Sequence, residues 1–165
     1  MLEKDNNIFT KCQDDLETQG YCLVKMNLPE ALRELVSNEN WSELDAEFFK
    51  LTAKDGLIFQ TLRLFRDFQS IEFIISLRDA NNEWEEDGIW HDDGSRLLAF
   101  SLSLTLNSPK GGVLEFRKKG ECNSNKIPTP TYGEMIVFKT GVEGYEHKIN
   151  QVTEGQRLII AGWCS

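Results

Sequence analysis

Two histidines and a nearby aspartate are the residues of this sequence whose types and spacing best fit metal chemistry. His91 and His147 are the only histidines of the chain, and Asp93 follows the first of them by two residues. Two neutral imidazoles and one carboxylate can hold Fe(II) on one face and leave its remaining positions open for reactants. Zinc accepts the same ligands. The pattern therefore predicts a metal centre made by His91, Asp93 and His147.

Asp93, rather than its neighbour Asp92, is the predicted ligand. Side chains alternate along an extended chain, so residues i and i+2 point to the same side. Asp92 should then point away from the metal. Since histidine ligands bind metal as neutral imidazoles, we expect metal affinity to fall when they are protonated.

An arginine follows the second histidine by ten residues and begins an otherwise apolar segment, Leu-Ile-Ile-Ala-Gly-Trp. Burying a guanidinium is costly unless it meets an anion, and its planar fork can bind a carboxylate at two points. A strand from His147 to Gly155 would span roughly 20 Å, a depth that a chelating dicarboxylate and two long side chains could cover. Arg157 is therefore predicted to bind such a carboxylate, which favours iron chemistry over a zinc hydrolase; a surface salt bridge is the simpler alternative.

The elements that must position these residues are short strands preceded by helices. Helices are predicted from Leu28 and from Ser42, the second with a weak capping box between Ser42 and Asp45. Residues 1–19 show little pattern, and residues 57–64 fit a helix or a strand. Strands are predicted at 20–26, 71–78, 98–106, 113–117, 135–139, 146–152 and 157–163. This order predicts a mainly β protein, a sandwich or jelly roll, with helical cover.

The strand at 98–106 has one fully apolar face and one small, partly polar face. The second face carries Ser101, Ser103 and Thr105. Such a face suits the wall of a pocket better than a surface in contact with bulk water.

Composition narrows the function and the compartment. The net charge of −9 disfavours nucleic-acid binding, which needs a positive field, and is compatible with a neutral or basic substrate. No apolar run is long enough to span a membrane, and residues 1–7 do not resemble a signal peptide. The four scattered cysteines are expected to stay reduced. Together these features predict a cytoplasmic protein.

Residues 70–165 resemble the 2-oxoglutarate- and Fe(II)-dependent dioxygenases, in particular the prolyl-4-hydroxylase type. The resemblance rests on an ordered set of motifs rather than on any one of them. The matching pieces are His91-x-Asp93; Leu106-Asn107 before Gly111-Gly112-Val113-Leu114-Glu115-Phe116; Gly133-Glu134 before Ile136-Val137-Phe138; His147 followed by Val152-Thr153-Glu154-Gly155-x-Arg157; and Gly162-Trp163.

The resemblance implies a double-stranded β-helix, which is a jelly-roll or cupin-like fold, with N-terminal helices packed on one sheet. It implies one domain over 1–165, with helical cover in 1–55 and a catalytic core in 70–165. It also implies that His91, Asp93 and His147 bind Fe(II) and that Arg157 binds the distal carboxylate of 2-oxoglutarate. The implied reaction hydroxylates a substrate with O2 and yields succinate and CO2; ascorbate could accompany these cofactors.

The sequence departs from the family pattern at one position. Relatives often carry a tyrosine nine or ten residues before the first histidine ligand, where it helps to hold the co-substrate. No tyrosine lies between Tyr21 and Tyr132. The candidates to replace it are Ser101, Ser103, Thr105 and Arg78.

The substrate is predicted from the relatives and from one charged loop. Prolyl-type relatives indicate a peptidyl residue as the substrate. A basic segment around that residue is expected, because Glu83, Glu85, Glu86 and Asp87 precede the first ligand. This loop, flanked by Trp84 and Trp90, could hang over the mouth of the barrel as a lid. The alternative substrates are a free amino acid or another small molecule, and the alternative function is a non-catalytic cupin-like binding or sensor domain. For the loop, the alternative to a lid is a solvated connector. Asp93 argues against a halogenase, which would need a small residue there.

Overall fold

A computed structural model describes the backbone of residues 2–165 and the side chains from Asn7 onward. The helices are α1 (Leu2–Gln19), α2 (Ala31–Ser37), α3 (Trp41–Thr52) and α4 (Leu57–Arg63), with a short 3₁₀ helix at Gly141–Glu143. The strands are β1 (Tyr21–Lys25), β2 (Ile71–Asp79), β3 (Leu98–Ser103), β4 (Lys110–Gly111), β5 (Leu114–Lys118), β6 (Asn125–Ile127), β7 (Glu134–Phe138), β8 (Tyr145–Ile149), β9 (Val152–Glu154) and β10 (Gln156–Cys164).

Two antiparallel sheets form the body of the molecule. The larger has the strand order β1-β7-β3-β10-β2, and the smaller has the order β6-β5-β8. Strands β4 and β9 form a separate two-stranded ribbon. The larger sheet contributes Ala99, Ile136 and Phe138 to a buried cluster that the smaller sheet completes with Leu114 and Phe116. The predicted mainly β architecture is confirmed.

The opposite face of the larger sheet carries the helices. Alternate residues such as Leu102 and Ile160 are fully buried there against Leu32 and Phe48, which come from α2 and α3. Burial of each such side chain contributes about 1.5–3 kcal/mol relative to its exposure. The prediction that the N-terminal helices pack on one sheet is therefore confirmed. None of the helices in the described residues combines the length and apolar character that a membrane span requires.

The helix predictions were correct in outline and wrong in detail. Helix α3 begins one residue early, because the side chain of Asn40, rather than that of Ser42, caps it by accepting a bond from the Glu43 amide. Of residues 57–64, for which the sequence fitted either a helix or a strand, residues 57–63 form helix α4. Residues 2–19 form α1, although among its side chains from Asn7 onward only those of Cys12 and Leu16 are buried, and so little burial leaves little periodic signal. Met1 lies outside the described residues.

Two strand predictions and one loop prediction also change. Strand β3 ends at Ser103 rather than at 106, and the predicted strand 146–152 divides into β8 and β9. The division follows from Asn150, whose amide donates to the Val113 carbonyl and whose side chain donates to Glu115. The predicted loop 118–133 contains the short strand β6, whose residues are mostly exposed and lack an apolar pattern.

The larger sheet depends on a close approach between a glycine and an aromatic ring. Gly162 lies opposite Phe100 in the β10–β3 pairing, and a Cβ atom at position 162 would overlap with the Phe100 ring. We expect Gly162→Ala to lower the free energy of unfolding by about 1–3 kcal/mol, because the ring must leave its packed position. Urea unfolding measures this loss.

A second substitution separates this clash from a general loss of strand stability. Phe100→Leu should remove most of the overlap, so the double variant should lose less free energy than the sum of the two single variants. If the losses in free energy of unfolding add, or if Gly162→Ala is as stable as the wild type, the Phe100 ring does not constrain position 162.

Candidate metal centre and adjoining cavity

The two histidines are brought together by a backbone bridge between distant segments. The amide of His91 donates to the His147 carbonyl at 2.9 Å, and the amide of His147 donates to the His91 carbonyl at 2.8 Å. This reciprocal antiparallel pairing adds the segment before β3 to the edge strand β8. It places the ring centroids 4.2 Å apart.

Asp93 completes the cluster from a strained backbone position. Its carboxylate lies 3.7 Å from Nε2 of His91 and 3.5 Å from Nε2 of His147. One ligand atom from each of the three residues can be chosen so that all lie within 4.8 Å of one another. Asp93 has a φ of 60°, which turns the chain sharply after His91 and aims the carboxylate at both rings. Non-glycine residues in this conformation often occur at functional sites.

Burial sets the protonation of the cluster. Removal from water and, to a lesser extent, the neighbouring His91 together lower the pKa of His147 to about 3. His147 is therefore a neutral imidazole, the form that binds metal. Burial also raises the pKa of Asp93, an effect that His91 and Trp163 oppose. The carboxylate oxygen Oδ2 of Asp93 is buried without a hydrogen-bond partner. These donors fit Fe(II), which would satisfy the carboxylate.

Asp92 points away from this cluster, as predicted. Its carboxylate accepts a bond from the Gly94 amide and pairs with Lys119. These contacts lower the pKa of Asp92, the Lys119 bond more than the Gly94 bond. Asp92 therefore stabilises the turn that carries the neighbouring ligand.

A cavity of about 430 Å³ adjoins the three residues and runs between the two sheets. Its floor is strand β10, whose alternate residues Arg157, Ile159, Ala161 and Trp163 line it. The wall from β2 consists of Ile74, Ser76 and Arg78, the smaller sheet supplies Leu114, His147 and Ile149, and Glu86 and Ile89 border the opening.

Arg157 lies inside the cavity and not on the surface. Arg157 is only 3% exposed, and its Nε is buried without a hydrogen-bond partner. Burial lowers the pKa of Arg157 to about 9, and the neighbouring Arg78 contributes in the same direction. Gly112 makes room for this side chain, since a Cβ there would lie 2.8 Å from Cδ of Arg157. A buried guanidinium whose Nε has no hydrogen-bond partner among the described residues is a strong candidate for binding an anion.

The three hydroxyl residues proposed to replace the missing tyrosine lie in different surroundings. Ser101 lines the cavity, and its Oγ is buried without a partner. Thr105 instead exchanges hydrogen bonds with the backbone of Leu158, and Ser103 accepts a bond from the Thr105 amide. Neither Ser103 nor Thr105 lines the cavity, so the structure does not support a co-substrate contact for either residue. The strand ends at Ser103, and the alternation that would aim Thr105 inward stops there.

The acidic loop lies at the cavity opening, and the structure divides its charges into two groups. Asp87 and Glu86 pair with Arg78, whereas Glu83 and Glu85 are exposed. Trp84 lies against the guanidinium of Arg78, and Trp90 lies between Arg117 and Lys148. Sequence reasoning missed these cationic partners, because Arg78 precedes Asp87 by nine residues and the others come from β5 and β8.

Comparison with known proteins identifies the fold. A prolyl-4-hydroxylase from Pseudomonas putida superposes with a TM-score of 0.63 at 18% sequence identity, over 95% of this chain and 98% of that chain. A Trichoplax adhaerens prolyl hydroxylase, in complex with a hypoxia-inducible-factor peptide fragment, gives 0.65 at 13% identity, over 99% and 91%. A 2OG-Fe(II) oxygenase family oxidoreductase from Burkholderia pseudomallei gives 0.65 at 13%, over 95% and 90%. The predicted double-stranded β-helix is confirmed.

The family is shown by the sequence itself. No curated protein matches the chain at a significant level. The family model described as the 2OG-Fe(II) oxygenase superfamily matches residues 70–165, which is more than half of the chain and includes the three clustered residues and Arg157. The chain therefore belongs to the 2OG-Fe(II) oxygenase superfamily and is a dioxygenase that depends on Fe(II) and 2-oxoglutarate.

Proposed function

We propose that this protein hydroxylates a peptidyl residue of the prolyl type, consuming 2-oxoglutarate and O2 and releasing succinate and CO2. One oxygen atom enters the substrate C–H bond as hydroxyl and the other enters succinate, so the reaction balances without a further reductant. The observation that carries the proposal is the buried arginine at one end of a cavity whose other end holds two histidines and a carboxylate.

His91, Asp93 and His147 would hold the iron, and Ser101 and Arg157 would hold the co-substrate. The bound iron and 2-oxoglutarate supply the oxidising chemistry. Arg157 would anchor the distal carboxylate and thereby orient the co-substrate along the cavity toward the two histidines. Ile159 and Leu114 line the cavity with apolar surface and exclude water from the space between these ends.

The cavity opening supports a peptide as substrate. The side chain of His91 is 44% exposed, and the neighbouring Ile74 and Ile89 are more than half exposed. A residue carried on a peptide can therefore reach the metal from outside, and an apolar pyrrolidine ring suits these isoleucines. A free amino acid would need partners for both its ammonium and its carboxylate, whereas the residues at this end of the cavity are mostly apolar. The Trichoplax prolyl hydroxylase, whose structure is in complex with a peptide fragment, supports the same choice by analogy.

A substrate screen tests the reaction. The iron-loaded protein is incubated with 2-oxoglutarate, O2 and either proline-containing peptides or free amino acids, and succinate and added oxygen are measured together. We expect succinate formation to rise with a peptide that gains one oxygen atom. Stimulation by a free amino acid alone would overturn the peptide assignment, and an absence of succinate under every condition would overturn the proposed reaction.

Removing one histidine should remove the metal. We expect His147→Ala to lower iron affinity by more than about 100-fold, beyond the loss seen when only a supporting partner of a ligand is removed. Iron bound per chain is measured under anaerobic conditions. Asp92→Asn is the matched control, because it changes an adjacent carboxylate that points away, and it should retain iron. Wild-type stoichiometry in His147→Ala would contradict the ligand assignment.

Arg157 is expected to lower the free energy of unfolding and to raise the affinity for 2-oxoglutarate. Arg157→Lys removes the two-point fork and should weaken 2-oxoglutarate binding by about 10- to 100-fold, as measured by calorimetry on the anaerobic Fe(II) protein. Arg157→Leu should abolish measurable binding. It should also raise the free energy of unfolding without co-substrate by about 1–3 kcal/mol, because a buried cation is removed. At neutral pH the comparison is direct, since a pKa of about 9 leaves Arg157 charged. Wild-type affinity in Arg157→Leu would assign the role elsewhere.

The two free charges of the loop should attract a basic peptide. Glu83→Gln/Glu85→Gln should raise the Michaelis constant for such a peptide and flatten its dependence on salt, because exposed charges are screened over about 8–10 Å at ordinary ionic strength. The control is Glu34→Gln/Glu43→Gln, which changes the net charge equally but on the exposed helix surface. An equal effect of both pairs would show that net charge alone steers the substrate. No effect of either pair would leave the loop as a solvated connector.

A further inference from the structure

Two arginines stand opposite each other at the end of the cavity. Arg78 of β2 is the direct register partner of Arg157 of β10, and both residues are buried, at 7% and 3% exposure. Cβ atoms of such cross-strand partners lie about 4.5–5.5 Å apart, and like charges in this arrangement destabilise a sheet. The pair is therefore costly unless negative charge reaches the space between the two guanidiniums.

Part of that charge comes from the loop at the cavity opening. Nη1 of Arg78 pairs with Asp87, whose side chain is 12% exposed, and Nη2 lies 4.0 Å from Glu86. The ring centroid of Trp84 lies 4.8 Å from the same guanidinium. The Nε of Arg78, by contrast, is buried without a partner. The two Nη atoms of Arg78 thus hold the loop, whereas its buried Nε is left to donate to another group.

The charges of this group do not cancel. Arg78 and Arg157 contribute two positive charges, and the partly buried Asp87 contributes one negative charge. The side chain of Glu86 is exposed to water, so it offsets the remaining positive charge only weakly. Arg157 senses both neighbours, because Arg78 lowers its pKa and Asp87 raises it. A single carboxylate between the arginines would neutralise the group and could accept from the buried Nε of each.

We propose that Arg78 binds the distal carboxylate of 2-oxoglutarate together with Arg157, and that its ion pair with Asp87 makes the segment Trp84–Asp87 more rigid when the co-substrate is bound. The inference rests on the proposed function and deepens it. Arg78 takes the part of the hydroxyl donor that the sequence lacks, and it adds a link that a tyrosine hydroxyl could not make, since a guanidinium has donors enough for two carboxylates at once.

The first measurement is calorimetric titration of 2-oxoglutarate into the anaerobic Fe(II) protein. Arg78→Leu should weaken binding by about 10- to 100-fold, the loss expected for a hydrogen bond between charged groups. Arg78→Lys, which keeps the charge, should recover part of it. Arg63→Leu is the matched control, because Arg63 also pairs with an aspartate, Asp67, but on the exposed surface of α4.

Asp87→Asn distinguishes direct binding from a structural role. If Arg78 acts only by holding the loop, Asp87→Asn should weaken 2-oxoglutarate binding as much as Arg78→Leu does. If Arg78 binds the carboxylate, Asp87→Asn should leave binding as tight as in the wild type or tighter, because it removes a competing negative charge. Weakening by Asp87→Asn equal to that of Arg78→Leu would overturn the proposal.

Hydrogen exchange provides a readout that does not depend on turnover. Saturation with 2-oxoglutarate should slow amide exchange in residues 83–89 of the wild type, and should no longer do so in Arg78→Leu or Asp87→Asn. Unchanged exchange in the wild type would overturn the link to the loop. No binding of 2-oxoglutarate to the wild type would overturn the proposed function together with this inference, whereas wild-type affinity in Arg78→Leu would overturn the role of Arg78 alone.

Discussion

The alternation of side chains along strand β10 is the constraint on which the rest of the structure depends. Leu158 and Ile160 point into the core beneath the helices, whereas Arg157, Ile159 and Ala161 point into the cavity. Because β10 pairs with both β2 and β3, its register also sets what faces the cavity from those neighbours. A shift by one residue would exchange the two faces and place the guanidinium among the helices, where nothing could balance its charge.

Local charge, and not the net charge, determines what this cavity accepts. The chain carries −9 overall, yet two arginines, Arg78 and Arg157, line the cavity, and Arg78 pairs with Asp87 of the loop. The acidic exterior is screened by salt over about 8–10 Å, whereas groups that are removed from water are screened much less. A dianionic co-substrate therefore meets weak repulsion outside and strong attraction within. The same exterior favours a neutral or basic macromolecule at the opening. The co-substrate would therefore bind inside the cavity and the substrate at its opening.

The sequence predicted the site better than its surroundings. His91, Asp93, His147 and Arg157 were predictable because metal and carboxylate binding demand particular side chains, and strand periodicity restricts where those side chains can point. Asn40 as the cap of α3 was not predictable with the same certainty, since Asn and Ser are both good caps and the choice depends on the preceding turn.

Contacts between residues distant in the sequence could not be predicted either, because they depend on strand register and on where strands and loops run. The pairing of Arg78 with Asp87 requires the path of the loop, and its position opposite Arg157 requires the β2–β10 register. Ser103 and Thr105 carry the right hydroxyls, but where β3 ends decides that these groups bind backbone and do not face the cavity. A one-dimensional pattern contains the residue types but neither the register nor the strand end.

The left-handed backbone of Asp93 bears on how this active site can change over evolution. A φ of 60° is unfavourable for aspartate and natural for glycine, so replacing Asp93 by glycine would relieve the backbone while removing the only carboxylate of the cluster. Selection for stability alone would favour that replacement, and only selection for activity opposes it. A single substitution without a cost in backbone energy would therefore give a centre with one more open coordination position. Selection for activity is what retains the carboxylate.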